Sequence, residues 1–228
     1  MLRGVTLQVR AGEIMGLVGA NGAGKTTLLE ILATVQRPTS GDASVAGYDV
    51  SGEAAAVKRL VGYSPSSSET FYPRLTCGAN LKFFAALYGM SPREAQRRTD
   101  DVLELIGALE LKPAVFQKCS AGMKQKIGLA RALLADPSVV LLDEPTRSLD
   151  SASQRKVQNL LRRTLVDGAQ KTVLLVTHSL DEAERVCDRV ALLRDGVIAG
   201  VWRADRLPAE LRWQTTSDRP RLAPAMEG

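Results

Sequence analysis

Apolar residues in this chain come in two arrangements that alternate. Short unbroken runs are found at IMGLV (14–18), LVGY (60–63), SVVLL (138–142), TVLLV (172–176) and RVALL (189–193). Runs of this length suit strands covered on both faces. Between them, KTTLLEILATV (25–35), KQKIGLARALLA (124–135), SQRKVQNLLRRTL (153–165) and DEAERVC (181–187) place apolar residues three and four apart. That spacing makes one apolar stripe on a helix. Strand and helix in alternation predict an α/β fold with a parallel sheet.

Two regions break the alternation. SGDASVAGYDV (40–50) reads as short strands with turns, a small antiparallel lobe. Residues 76–118 carry no good strand; NLKFFAALYG and PREAQRRTDDVLELIGAL read as helices inserted into the α/β pattern. Asp195-Gly196, between two apolar runs, signals a hairpin. The first residues, Leu2 to Val5, look like a strand already under way. After about Leu207 the chain turns polar and Pro-rich, so 1–207 is expected to form the domain and 208–228 a loosely ordered tail.

Composition adds exclusions. A net charge of +5 over 228 residues, with the basic residues scattered, is weak support for nucleic acid. Cys77, Cys119 and Cys187 are too far apart for a CxxC zinc site, and an odd number argues against a disulfide framework. No apolar run approaches the ~20 residues that span a bilayer. Any membrane role then runs through a partner.

The chemistry lies in three places. GANGAGKTT (19–27) follows a strand candidate and opens a helix candidate, which is the context a phosphate-binding P-loop needs. Its backbone amides, from Gly19, Ala20, Asn21, Gly22, Ala23 and Gly24 to Thr27, can turn toward phosphates, with Lys25 reaching the β- and γ-phosphates. Thr26 is placed for Mg²⁺. VVLLDEP (139–145) ends a strand in two acids: Asp143, placed for the Mg²⁺ shell, and Glu144, a candidate general base toward water. Alone, two acids ending a strand are ordinary solvated charges; beside a P-loop they gain a role. His178, the chain's only histidine, directly follows another strand. There it can meet a γ-phosphate or the attacking water.

Taken in order with CSAGMKQKIGLARALLADP (119–137), these motifs resemble the nucleotide-binding subunit of ABC transporters, and S-x-G-M-K-Q is similar to the exporter-like, ABC-2 branch. The resemblance covers roughly 2–205. It implies a P-loop NTPase core with a mostly parallel sheet, a small antiparallel β lobe and an α-helical subdomain at about 70–135. It further implies ATP and Mg²⁺ as ligands, and a head-to-tail homo- or heterodimer with each ATP between one P-loop and the other chain's signature. Ser120, Ala121, Gly122 and Met123 would be that signature. Ser148 and Asp150 would form the interface D-loop, although Asp150 suits a plain helix N-cap equally well. The family's partner is an integral membrane permease, which places such a subunit in the cytoplasm, peripheral on the inner face of the membrane.

The chain departs from the pattern twice. The family's glutamine that ligates Mg²⁺ or water falls within YSPSSSE (63–69), at Ser66 counted from Pro65 or at Ser67 counted back from Leu75-Thr76. The earlier strand with an adenine-stacking aromatic has no counterpart after Met1, which favours a start recorded too late. Two other readings stand beside transport. One is a soluble ABC ATPase acting on nucleic acid, opposed by the lack of a second such domain. The other is a nucleotide-sensing subunit of low turnover paired with an active homologue.

Overall fold

The computed structural model describes residues 2–66, 70–208 and 211. Five of the strands are the unbroken apolar runs: β1 (Ile14–Val18), β4 (Val61–Ser64), β5 (Val139–Asp143), β6 (Thr172–Val176) and β7 (Arg189–Arg194). With β8 (Val197–Arg203) they form one sheet in the order β4–β5–β6–β1–β7–β8. All pairs are parallel except β7–β8. That last pair turns at Asp195-Gly196, both with positive φ (51° and 82°), as a type I′ hairpin turn requires. The second sheet is the small antiparallel pair β2 (Ser44–Val45) and β3 (Tyr48–Asp49).

The physical reason for the unbroken runs is visible in the packing. Successive side chains of a strand point to opposite faces. Ile14, Val18, Val140, Leu142, Val173, Leu175, Val190 and Leu192 enter one core. Met15, Leu17, Leu141, Leu174, Val176, Ala191 and Leu193 enter another, under Leu28 and Leu29 of α1 (Lys25–Leu32). Both faces are covered, so neither can be polar. Full burial of each such side chain contributes about 1.5–3 kcal/mol.

The helical insertion consists of α3 (Cys77–Leu87), α4 (Pro92–Leu105) and α5 (Ala121–Leu133), and its apolar faces join the first core. α4 begins with a capping box, Ser91 with Glu94, and Pro92 at its first position. Between strands lie α2 (Ala54–Leu60), α6 (Ser151–Asn159) and α7 (Leu180–Val186). The buried Asn80 amide fastens the segment before α3, accepting from Tyr72 N (2.8 Å) and donating to Tyr72 O (3.0 Å).

Several expected boundaries move. The helix expected over 25–35 stops at Leu32, because Thr34 takes φ 57°, outside the helical region. Leu60 ends α2 rather than opening β4. The helix expected over 153–165 starts at Ser151 and widens into a π-helical stretch over Leu160–Gly168. Residues 76–118, expected to be wholly helical, contain one isolated bridge, Thr76 to Val115. Leu2 to Val5 are not in a strand: Arg3 N donates to Gly196 O (2.8 Å), and Leu2 and Val5 pack on the second core as irregular chain. The apolar side chains are satisfied there by packing, without a strand ladder.

Candidate functional site

The carboxyl ends of β5, β6 and β1 lie side by side. Asp143 is in register with Val176, and Val176 with Leu17. The chain leaving each of these strands therefore emerges at one edge of the sheet, where ligands of open α/β sheets bind.

The loop after β1 runs from Gly19 to Gly24, with Ala20, Asn21 and Gly22 exposed or partly so and Ala23 N bonded to Ala20 O (3.2 Å). Gly24 caps α1 at φ 104°, a conformation that a side chain resists. The amides of this loop and the first turn of α1 have the arrangement that suits an anion at a helix N-terminus. Lys25 is buried, yet its ammonium is not idle. It donates to Gly19 O (2.8 Å) and Ala20 O (3.0 Å), curling over the loop that precedes it. Burial pushes the Lys25 ammonium below its ordinary pKa, against the opposing pull of Glu144 and then Asp143. A phosphate would restore what burial removes.

Next to Lys25, Thr26 Oγ1 donates to Asp143 Oδ2 at 2.8 Å. A hydroxyl and a carboxylate this close are two hard oxygen donors, the set that suits Mg²⁺. Thr27 is partly buried in the same turn.

Glu144 has the left-handed backbone, φ 50°, unusual for a side-chain-bearing residue and held by Glu144 N donating to Val176 O (2.9 Å). Its carboxylate is nearly buried. Oε2 accepts from Arg147 Nη1 (3.1 Å), and Oε1 stands 3.5 Å from His178 Nδ1. His178 itself is about half exposed, just past the end of β6. The structure thus brings together the loop 19–27, Asp143, Glu144 and His178, which lie far apart in the sequence.

The remaining candidates sit on a neighbouring feature. Ser120 is exposed and caps α5; its Oγ accepts from Met123 N (3.2 Å). Ala121 is exposed beside it, whereas Met123 packs its side chain inward against the first core. Gly122 has no room for a side chain, since a Cβ there would stand 2.8 Å from Ser148 O. Asp150 is the N-cap of α6, its Oδ1 accepting from Ala152 N (3.0 Å) and Ser153 N (2.9 Å). Ser66 is exposed and lines a cleft of about 250 Å³ with Phe71, Lys124, Gln125 and Arg131. Ser67 lies outside the described residues. Of the two aromatics beyond it, Phe71 is core, stacked on Phe116, while Tyr72 is half exposed.

Sequence reasoning gave no role to two residues here, although Gln125 closes the S-x-G-M-K-Q stretch. Arg147 is the cation on the Glu144 carboxylate. Gln125 bonds both ends of the Glu144–Ser148 loop: its Nε2 donates to Glu144 O, and its Oε1 accepts from Ser148 N (3.1 Å). A signal for Gln125 was present, because it lies three residues beyond Gly122, on the same face of α5.

This geometry can cradle a triphosphate in backbone amides, hold a cation between Thr26 and Asp143, and face a water with Glu144. Among the described residues, no helix is long and apolar enough to cross a membrane. A family model described as ABC transporter matches residues 2–147. The chain is 34% identical over 197 residues to the ABC transporter ATP-binding protein NatA of Bacillus subtilis, covering 86% of this chain and 79% of that one. It is 38% identical over 193 residues to the Nod factor export ATP-binding protein I of Burkholderia thailandensis, covering 85% of this chain but only 62% of that relative's length. Among solved structures, it superposes with TM-score 0.83 and 26% identity on the ATP-binding cassette MJ0796, a dimer in a post-hydrolysis state bound to ADP and Pi, over 90% of this chain and 91% of that one. The chain belongs to the ABC transporter family, as one of its ATP-hydrolysing nucleotide-binding domains.

Proposed function

We propose that this chain binds Mg²⁺-ATP at Gly19–Thr27, pairs head to tail with a second ATPase subunit around two nucleotides, and drives export through a separate integral membrane permease. The observation that carries the reading is the convergence of Lys25, the Thr26–Asp143 pair and Glu144 at one sheet edge. The relative named for Nod factor export supports the direction, and the dimeric cassette structure supports the pairing. The working place is the inner face of the membrane.

Each residue has a part. The loop amides and Lys25 bind the phosphates. Thr26 and Asp143 hold Mg²⁺, with Ser66 or Ser67 as a further contact through water. A bound Mg²⁺ supplies charge neutralisation on the phosphate oxygens. Glu144 accepts a proton from the attacking water as the new O–P bond forms and the bond from the γ-phosphorus to the bridging oxygen breaks, leaving ADP and phosphate. His178, beside it, orients the γ-phosphate. Ser120 to Met123 offer a helix end to the nucleotide held by the other subunit, and the segment Ser148–Asp150 lies along that interface. Residues 1–207 form the domain. Within it, the helical region at about 70–135 is the face toward the permease, where Tyr72, Phe83, Leu87 and Tyr88 are exposed.

The test is Mg²⁺-dependent ATP hydrolysis across a range of protein concentrations, beside Glu144→Gln. The expected result is turnover that rises faster than linearly with protein and is lost in the variant. ATP binding without turnover at any concentration would favour a nucleotide-sensing subunit instead.

A further inference from the structure

We propose that Gln125 is a positioning residue for Glu144, fastening the loop that carries the general base to α5, the helix that opens at Ser120. The inference rests on Glu144 being that base.

Glu144 leaves β5 in a left-handed conformation that its side chain disfavours, so its place depends on what holds the main chain. On the strand side the hold is Glu144 N to Val176 O, 2.9 Å. On the other side Arg147 N donates to Glu144 O (3.3 Å) within the loop itself, and the hold from outside the loop is Gln125. The Gln125 amide spends its donor on Glu144 O and its acceptor on Ser148 N, 3.1 Å away. Only one orientation of the amide satisfies both partners, since a carbonyl needs a donor and an N–H needs an acceptor. The two bonds span the turn from Glu144 to Ser148. One turn earlier on the same helix face, Gly122 lies against Ser148 O, so closely that a Cβ would come within 2.8 Å. α5 therefore grips the loop at two successive turns.

The consequence concerns coupling. Ser120 is the N-cap of α5, and Gln125 is the fifth residue of the same rigid element. A displacement of the helix end at Ser120 reaches the Glu144 main chain through one side chain. What α5 meets at its N-terminus thus bears on where the Glu144 carboxylate stands.

Two variants separate this from a plain packing role. Gln125→Glu keeps an acceptor for Ser148 N but loses the donor to Glu144 O. Gln125→Ala loses both. The measurements are kcat and KM for ATP, together with amide hydrogen exchange of the peptide containing Ser148. Both variants are expected to lower kcat by about 10- to 100-fold with KM for ATP within about twofold, the mark of a misplaced catalytic group rather than lost binding. Exchange at Ser148 is expected to rise in Gln125→Ala and to stay near the parent in Gln125→Glu. Unchanged kcat in both variants, or kcat and KM moving together with a lowered Tm, overturns the proposal. A parent chain without turnover would sink the ATPase reading alone. The exchange result would then decide, with unchanged Ser148 exchange in Gln125→Ala counting against the grip. If Gln125→Ala does not fold, Gln125→Glu carries the same kcat test.

Discussion

Thr26 Oγ1 lies 2.8 Å from Asp143 Oδ2, joining the first turn of α1 to the end of β5 across 117 positions of sequence. The pair is the proposed Mg²⁺ site, and its members differ in what they contribute. The hydroxyl is a neutral donor, whereas the carboxylate is the charge that draws the cation.

Asp143→Asn is therefore expected to raise the Mg²⁺ concentration for half-maximal turnover by about 10- to 100-fold, the scale set by altering ligand-supporting groups. ATP binding without Mg²⁺ should hold, because Lys25 and the loop amides are intact. A Mg²⁺ titration of turnover beside nucleotide binding in chelator checks both halves. An unchanged Mg²⁺ requirement would remove Asp143 from the site.

The charge of Lys25 predicts a pH dependence. Its charged form binds phosphate, and burial favours the neutral form, so the charge is lost at a lower pH than an exposed lysine would lose it. kcat/KM reports the free enzyme. Its alkaline limb should fall as pH rises through that lowered value. Bound phosphate holds the proton on Lys25, so the limb in kcat should come at higher pH. pH–rate profiles of the two parameters test this, and coincident alkaline limbs would contradict it.

Gly122→Ala sets two effects against each other. Alanine gains about 1 kcal/mol of helix propensity over glycine. The new methyl would stand 2.8 Å from Ser148 O, a backbone atom that cannot turn aside. Forcing such a group into a packed contact costs about 1–3 kcal/mol. A net loss of stability is expected, visible as a lower urea midpoint with an unchanged m-value. A stabilised variant would mean that the loop yields at little cost.

Arg131 carries a prediction away from the phosphates. Its guanidinium lies 3.9 Å from the Phe84 ring centroid and 5.7 Å from that of Phe71, and Nη1 donates to Thr70 Oγ1 at 2.6 Å. Burial pushes the group below the ordinary arginine pKa. Arg131→Ala should cost about 2–3 kcal/mol from the desolvated cation–π contact and the hydrogen bond together. Arg131→Lys should cost less, since a charge remains over the ring. Equal losses in the two variants, read by denaturant unfolding, would assign the effect to shape alone.

Much of the fold is legible in the order of the amino acids. The runs at 14–18 and 172–176 coincide with their strands residue for residue, because the apolar run extends as far as both faces of the strand are covered. The Asp195-Gly196 turn is equally local, since its geometry is a property of two backbones with positive φ. Helix ends are less legible. Thr34 ends α1 through a dihedral angle, and the widening at Leu160 preserves apolar spacing while changing the hydrogen bonds beneath it.

Local order along the chain settles the alternation of strand and helix, the P-loop with Lys25 and Thr26, and the acids that end β5. Each is a short-range pattern: side-chain periodicity, glycine conformation, or a motif read within a few residues. The assembled fold decides that Asp143 meets Thr26, that His178 comes within 3.5 Å of Glu144, and that Gln125 reaches the Glu144 loop. Those contacts depend on strand order. β1, β5 and β6 become neighbours only when the sheet assembles, and hydrogen bonds across it join residues that no periodicity relates.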